Sequence, residues 1–182
     1  MSTDSPKLVL PHGGYRKLLS FRCARLVYDG TVVFCDRFVD RFSRTRDQMV
    51  QAARSGVQNI AEGSMASATS QKMEIKLTGV ARASIEELIL DYEDFLRQRG
   101  LRQWAPESEQ ALAVRGWYRA SDRSDRSDLS TLPPEPAANV LLCLANQASY
   151  LLGRQIRGLE LRLVRGGGFT ERLYRTRRRS RG

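Results

Sequence analysis

Arginine is the residue type in this sequence that most clearly indicates a function, namely the binding of anions. The 182 residues include 30 Lys+Arg against 20 Asp+Glu, which gives a formal net charge of +10 and a pI of about 10.1. Clustered guanidinium groups displace counterions from nucleic acid and bind it with little dependence on sequence. The charge therefore predicts a polyanionic partner, either RNA or DNA or an acidic protein surface.

The candidate phosphate-contacting arginines fall in two stretches. Arg44, Arg46 and Arg54 lie in the second predicted helix. The second stretch ends the chain, opposes a single acid at position 171, and contains Arg172, Arg175, Arg177, Arg178, Arg179 and Arg181. This tail is either a solvated segment without a role or a phosphate-binding arm. We favour the arm, because it adds charge to a body that is already basic.

Residues for nucleophilic, acid–base or metal chemistry are scarce. His12 is the only histidine, and its Pro-Gly-rich surroundings favour a loop residue over a ligand or base. Cys23, Cys35 and Cys143 are widely spaced among apolar residues, which predicts buried free thiols. The acids at 86–94 lack the Glu-x-x-His pairs of di-metal bundles, so a solvated acidic face is expected. We predict no enzyme, no catalytic residues, no cofactor and no metal. An enzyme would need a site made of carboxylates, serines and arginines alone.

Helical periodicity predicts the elements that carry these residues, and no useful stretch alternates as a strand does. The expected fold is all-α, an up-down four-helix bundle with a short-helical insertion before the fourth helix and a basic C-terminal tail. The predicted segments are a flexible leader at 1–13, helices one to three at 14–100, the insertion and polar linker at 101–138, the fourth helix at 139–165 and the Arg-rich tail at 166–182.

Several local signals sharpen this prediction. Ser43 and Ser70 are expected to cap the second and third helices, and Gly63 is expected to take the left-handed position that ends the second. On the first helix, Leu19 is expected on the apolar stripe. The Ser-Asp-Arg repeat at 121–128 is typical of a mobile linker.

Two tryptophans flank the short helix of the insertion. Trp104 and Trp117 can stack nucleobases. More often such residues anchor an irregular segment onto a core, and we expect that role for both.

The sequence also bears on location. No apolar stretch is long enough to span a bilayer, and the N-terminus lacks the basic and apolar regions of a signal peptide. A cytoplasmic protein without membrane contact is therefore expected.

Three stretches together resemble one known family. Residues 46–63 read RDQMVQAARSGVQNIAEG, residues 76–88 read KLTGVARASIEEL, and the last part combines YLLGRQI at 150–156 with GGFTERLY at 167–174. They resemble the bacterial four-helix-bundle family first noticed in intervening sequences of large-subunit ribosomal RNA genes, in its longer subgroup with a suffix domain. The resemblance covers about 15–100 and 137–175. Gln51 stands where the family has a basic residue, and Ala83 where it has glycine.

The resemblance implies an up-down bundle that forms a homo-oligomer, in several relatives a ring of five subunits. A distant relative, the accessory variability determinant of diversity-generating retroelements, is a basic ring that binds nucleic acid and a reverse transcriptase. The function expected from charge and resemblance together is a non-enzymatic accessory protein that binds RNA or DNA with weak sequence specificity. The alternative is a protein–protein adaptor for a reverse transcriptase or another effector encoded nearby.

Overall fold

The structure, a computed structural model, describes residues 12–119 and 129–179, and within these ranges it contains helices and no strand. The helices are α1 (Leu19–Phe38), α2 (Arg44–Ala66), α3 (Gln71–Gln98), α4 (Glu109–Val114), α5 (Pro134–Gly166) and α6 (Phe169–Arg179), with 3-10 turns at Tyr15–Lys17 and Trp117–Arg119. The all-α prediction is confirmed for this part of the chain. The leader at 1–11, the repeat at 121–128 and Arg181 lie outside the described residues.

The four long helices α1, α2, α3 and α5 pack in a closed order, in which α1 contacts α2, α2 contacts α3, α3 contacts α5, and α5 contacts α1. Polar contacts give the direction of α1 and α5. Ser20, near the start of α1, donates a hydrogen bond to Gln155 near the end of α5. Arg37, near the end of α1, donates to the carbonyls of Leu129 and Leu132 just before α5 begins. The two helices therefore run antiparallel.

An aromatic cluster fills the centre of the core. Phe34 of α1 is 1% exposed, and its ring meets Tyr92 and Phe95 of α3 edge-on at centroid distances of 5.1 and 4.7 Å. The Tyr92 hydroxyl lies 2.8 Å from Thr31 Oγ1, so its polar atom is satisfied inside the core. The expectation for Leu19 is wrong, since it is 40% exposed. The side of α1 that is buried is instead the one that carries Phe34, Cys23 and Val27.

Both predicted serine caps are confirmed. Ser43 Oγ accepts the amide N–H of Thr45 at 3.2 Å, and Ser70 Oγ accepts that of Met73 at 3.1 Å. A side-chain oxygen at this position replaces one of the backbone acceptors that the first helical turn lacks. The starts of α2 and α3 are therefore fixed by local sequence.

Gly63 does not end α2, because the helix continues to Ala66, and that prediction is wrong. The residue is buried where α2 crosses the start of α3. A Cβ added there would lie 3.3 Å from the Glu74 carbonyl oxygen and 3.3 Å from Leu77 Cβ. The glycine thus permits close approach of two helices. A larger residue is excluded there by α3, and the local conformation of α2 does not require glycine.

One further boundary differs from the sequence prediction. Helix α5 begins at Pro134, five residues before the expected 139, because proline fits the first turn of a helix, where its missing N–H is not needed. Trp104 and Trp117 pack against the core as expected. The Trp104 amide donates to Asn139 Oδ1 at 2.8 Å, which ties the insertion to α5.

Within the described residues, no helix is both long and apolar enough to cross a membrane.

The contact at Gly63 predicts opposite effects for two glycines. Gly63→Val places a side chain against the α3 backbone, and we expect a loss of about 2 kcal/mol in the free energy of unfolding. Gly79, inside α3, has nothing within 4 Å of an added Cβ. Gly79→Ala should raise the free energy of unfolding by about 0.5–1 kcal/mol, because alanine loses less backbone entropy. Urea denaturation measures both; equal effects would contradict the close approach at Gly63.

Candidate nucleic-acid interface

The three arginines predicted on α2 have different surroundings, and two of them lie near acidic residues. Arg44, the first residue of α2, borders a surface groove that Glu87 and Asp91 also line. Arg46 is half-buried and forms an ion pair with Asp36 of α1. Arg54 is exposed in the middle of α2. The structure therefore gives Arg46 an internal partner and leaves Arg54 exposed, with no ion pair to a described acid.

The predicted tail is largely a helix, α6, and a short turn sets its direction. Gly167 has a φ of 68°, a left-handed conformation that breaks α5 after Gly166. Arg172 donates from Nη1 to the Gly167 carbonyl at 3.1 Å. Glu171 accepts backbone N–H groups of its own residue and of Gly168, and these bonds, together with Lys72 and Arg175, hold its pKa below its ordinary value.

The two faces of α6 differ. Its half-buried residues are spaced as one helical stripe, namely Phe169, Arg172, Leu173 and Thr176. The exposed Arg175, Arg178 and Arg179 together line a shallow depression on the other side. None of these three forms an ion pair with any described acid. Of the predicted tail residues, three thus form one exposed cluster, Arg177 is exposed beside them, and Arg172 braces the turn.

The tail cluster continues along the second half of α5. We call residues 154–179 the basic arm; it has nine arginines and two glutamates, a net charge of 9 − 2 = +7. Lys72 of α3 lies close enough to Glu171 to lower its pKa, and Arg162 lowers the pKa of Glu74, which burial raises. The start of α3 and the end of α5 therefore contribute to the same basic end of the molecule.

Sequence reasoning missed part of this surface. The missed residues are Lys72, Arg82, Arg154, Arg157, Arg162 and Arg165. For those of α5 the signal was present in the sequence, because from residue 154 onward arginines far outnumber acids. For those of α3 no local signal exists, because they reach the arm only through helix packing.

Two guanidinium groups converge beside Gly153 of α5. A Cβ at Gly153 would lie 3.3 Å from Arg82 Nη1 and 3.8 Å from Arg157 Nη1. Arg82 Nε also donates to Ser149 Oγ at 3.3 Å, and the Ser149 hydroxyl donates to Glu86. The two positive charges thus meet where α5 packs against α3, with Glu86 linked to Arg82 through the Ser149 hydroxyl.

The distance between the two predicted groups of arginines follows from the antiparallel packing. Arg44 begins α2, whereas the end of α2 at Ala66 lies near the start of α3 and hence near the basic arm. A helix rises about 1.5 Å per residue, so Arg44 is roughly 30 Å from the end of α2. The structure does not join Arg44 and Arg46 to the tail cluster.

Acidic residues gather at the opposite end of α3. Burial raises the pKa of Asp91, and the neighbouring carboxylates of Asp94 and Glu87 raise it further. In the described part of the chain, no group of three or more His, Cys, Asp or Glu side chains is arranged to hold a metal ion. These carboxylates offset positive charge at this end, where Arg44 and the paired Arg97 also lie, and so weaken its attraction for a polyanion.

The three cysteines are free thiols and differ in burial. Cys23 and Cys35 are buried, as predicted, and burial raises the pKa of each to about 12. Cys143 is only half-buried on α5, so the prediction of a buried thiol is wrong there; desolvation raises its pKa, and the nearby Arg115 lowers it in part. All three should therefore react more slowly than an ordinary thiol at neutral pH.

This difference predicts one accessible thiol in the native protein. With a disulfide reagent such as DTNB, we expect Cys143 alone to react, at a rate that rises about tenfold per pH unit below its pKa because the thiolate is the nucleophile. Cys23 and Cys35 should react only after denaturation. Cys143→Ser should abolish the native reaction, whereas two or more reactive thiols in the folded protein would contradict the burial of Cys23 and Cys35.

Comparison of the chain with protein families, curated proteins and solved structures gives no match.

Proposed function

We propose that this chain is a non-enzymatic accessory protein that binds RNA or DNA through the basic arm. The observation that carries the proposal is the arm's charge, nine arginines against two glutamates, with Arg175, Arg178 and Arg179 exposed together on α6. Phosphates are the ligands that such a cluster attracts, and counterion release supplies the affinity. Contacts of this kind position the protein and carry little sequence information, so specificity should be weak.

The exposure of helix α6 suits it to this role. It has no buried residues and makes only sparse contacts with the other helices, so its arginines project from the body of the protein. Glu171 stabilises the first turn of α6 through backbone hydrogen bonds and does not pair with Arg178 or Arg179. Arg54 is a secondary candidate on α2, whereas Arg46 is the weakest of the predicted set because Asp36 already pairs with it.

For the architecture we propose the up-down four-helix bundle of the resembled bacterial family, with α1, α2, α3 and α5 as its helices. The closed packing order and the antiparallel α1–α5 pair support it. The same resemblance suggests a homo-oligomer, in several relatives a ring of five subunits. Five copies would carry 5 × 10 = +50 formal charges, and a bound polyanion would offset their repulsion.

An adaptor function is the second candidate, and exposed apolar residues on the arm favour it. Leu161 is 56% exposed, Val164 83% and Tyr174 67%. Such residues among arginines are typical of a surface that another protein covers. The partner would be a reverse transcriptase or another effector with an acidic surface.

The proposal is tested by filter binding to a 20-nucleotide RNA and a 20-base-pair DNA over a salt series. We expect binding whose logarithm falls linearly with the logarithm of salt concentration. Absence of binding at low salt, or binding that ignores salt, would overturn it. A pull-down with nuclease treatment separates the adaptor, since a protein retained after nuclease supports a protein partner. Light scattering gives the subunit number.

A further inference from the structure

A cleft lies between α5 and the insertion that precedes it, away from the tail cluster. Its volume is about 720 Å³, within the range of about 300–1,000 Å³ that small-molecule sites occupy. The aromatic residues Trp104, Tyr118 and Tyr150 line it, together with the amides of Asn146 and Gln147. The combination of aromatic rings and free amide groups is suited to a flat, polar ring as ligand.

The amides on α5 have hydrogen-bonding capacity left over. Asn146 donates from Nδ2 to the Leu142 carbonyl at 2.9 Å, and its Oδ1 has no partner among the described residues. Gln147 accepts the Gly116 amide with Oε1 at 3.4 Å, and its Nε2 has no described partner. One free acceptor and one free donor therefore border the cleft, as a base edge with its own donor and acceptor requires.

The aromatic residues of the cleft have distinct roles. Trp104 and Tyr118 are packed against the core and form a fixed floor. Tyr150 is 61% exposed on the rim, where nothing in the described chain covers its ring. An exposed tyrosine ring at the rim of a cleft is a stacking platform for an unpaired base.

Positive charge lies beyond the cleft along α5, at the edge where α5 meets α3. Arg157 follows Tyr150 by seven residues, which is two helical turns or about 10 Å along the same face. Its guanidinium converges with that of Arg82 beside Gly153, midway between the two. Arg115 and Arg119 line the cleft itself. A phosphate attached to a base in the cleft therefore has guanidinium groups within reach.

We infer that this cleft holds an unpaired nucleobase, with an attached phosphate on the guanidinium groups of Arg82 and Arg157. Glu93, the one acid of the cleft lining, accepts hydrogen bonds from an exocyclic amino group, so adenine or cytosine is preferred to uracil. The inference rests on the proposed function where the base belongs to a single strand, but the same chemistry describes a free nucleotide. The tail cluster of α6 has no part in it.

The experiment measures protection of Cys143, which lines the cleft, from DTNB. The probes are 5′-AMP, 5′-CMP, 5′-UMP and inorganic phosphate, each in the millimolar range. By mass action, a ligand at ten times its Kd slows the reaction about tenfold. We expect 5′-AMP or 5′-CMP to protect, with 5′-UMP and phosphate clearly weaker. No protection by any nucleotide, or equal protection by phosphate alone, overturns the inference.

Variants and oligonucleotides complete the test. Tyr150→Ala should remove protection by the nucleotide, while Tyr174→Ala, a similarly exposed tyrosine on α6, should leave it unchanged; equal behaviour overturns the inference. If a single-stranded oligonucleotide protects Cys143 and the same strand with abasic sites does not, the natural ligand is a base of a single strand. Protection by free nucleotides alone identifies a free nucleotide as the ligand. Salt-dependent duplex binding with no protection by any probe sinks the cleft inference and leaves the proposed function standing.

Discussion

Replacing Arg175, Arg178 and Arg179 with glutamine is expected to weaken binding to a 20-base-pair DNA about 100-fold at 0.1 M salt. Each phosphate contact contributes a slope of about −0.9 to the dependence of log K on log salt, so three lost contacts remove up to about 2.7 from the slope. Helix α6 should persist in the variant, because the half-buried Phe169 and Leu173 and the cap from Glu171 are unchanged. Filter binding over the salt series measures affinity and slope together.

The control variant removes the same number of positive charges from a different part of the protein. Arg41, Arg97 and Arg99 are exposed at the end of the molecule opposite α6, and Arg97 pairs with Asp94 at 2.7 Å. Their triple replacement by glutamine lowers the net charge by the same three units and should change affinity by less than about threefold if direct phosphate contacts dominate. Equal losses in both variants would mean that net charge alone drives binding and that the basic arm is not the interface.

Phe34→Ala is expected to lower the free energy of unfolding by about 4 kcal/mol. The side chain is 1% exposed, and it joins α1 to α3 through edge-on contacts with Tyr92 and Phe95. Truncation removes buried apolar surface and leaves a cavity that the surrounding helices fill only partly. Urea denaturation followed by circular dichroism measures the change in midpoint, with the slope expected to stay the same.

The same substitution at Phe42 serves as the control. Phe42 is 81% exposed in the turn between α1 and α2, where Arg41 lies over its ring. Phe42→Ala should change the free energy of unfolding by no more than about 0.5 kcal/mol. A loss at Phe34 below about 1 kcal/mol, or equal losses at the two sites, would contradict an aromatic centre of the core.

Local sequence was sufficient for much of the helical framework. The serine caps of α2 and α3 were predictable because a side-chain oxygen acts within its own first turn. The short helix of the insertion and the anchoring of Trp104 and Trp117 were also anticipated, since large apolar side chains in an irregular segment need a core to cover them. The excess of arginine over acid was readable directly from composition.

Other features depend on which segments meet. Gly63 looked like a helix end because glycine favours left-handed backbone, yet it lies inside α2 because Glu74 and Leu77 of α3 leave no space for a side chain. Likewise, Arg46 was indistinguishable in sequence from Arg54, and only the packing of α1 on α2 places Asp36 beside it. A contact between helices has no counterpart in the local pattern of either one.

The sequence by itself determined the helical class, the capped starts of two helices and the strong positive charge, because each follows from residues near one another in the chain. Only the tertiary structure decided which charges share a surface. It separates Arg44 from the tail, brings Lys72 beside α6, and sets Arg82 against Arg157. The physical reason is that periodicity defines an apolar face for each helix, whereas the neighbour that buries this face also fixes which polar residues come together.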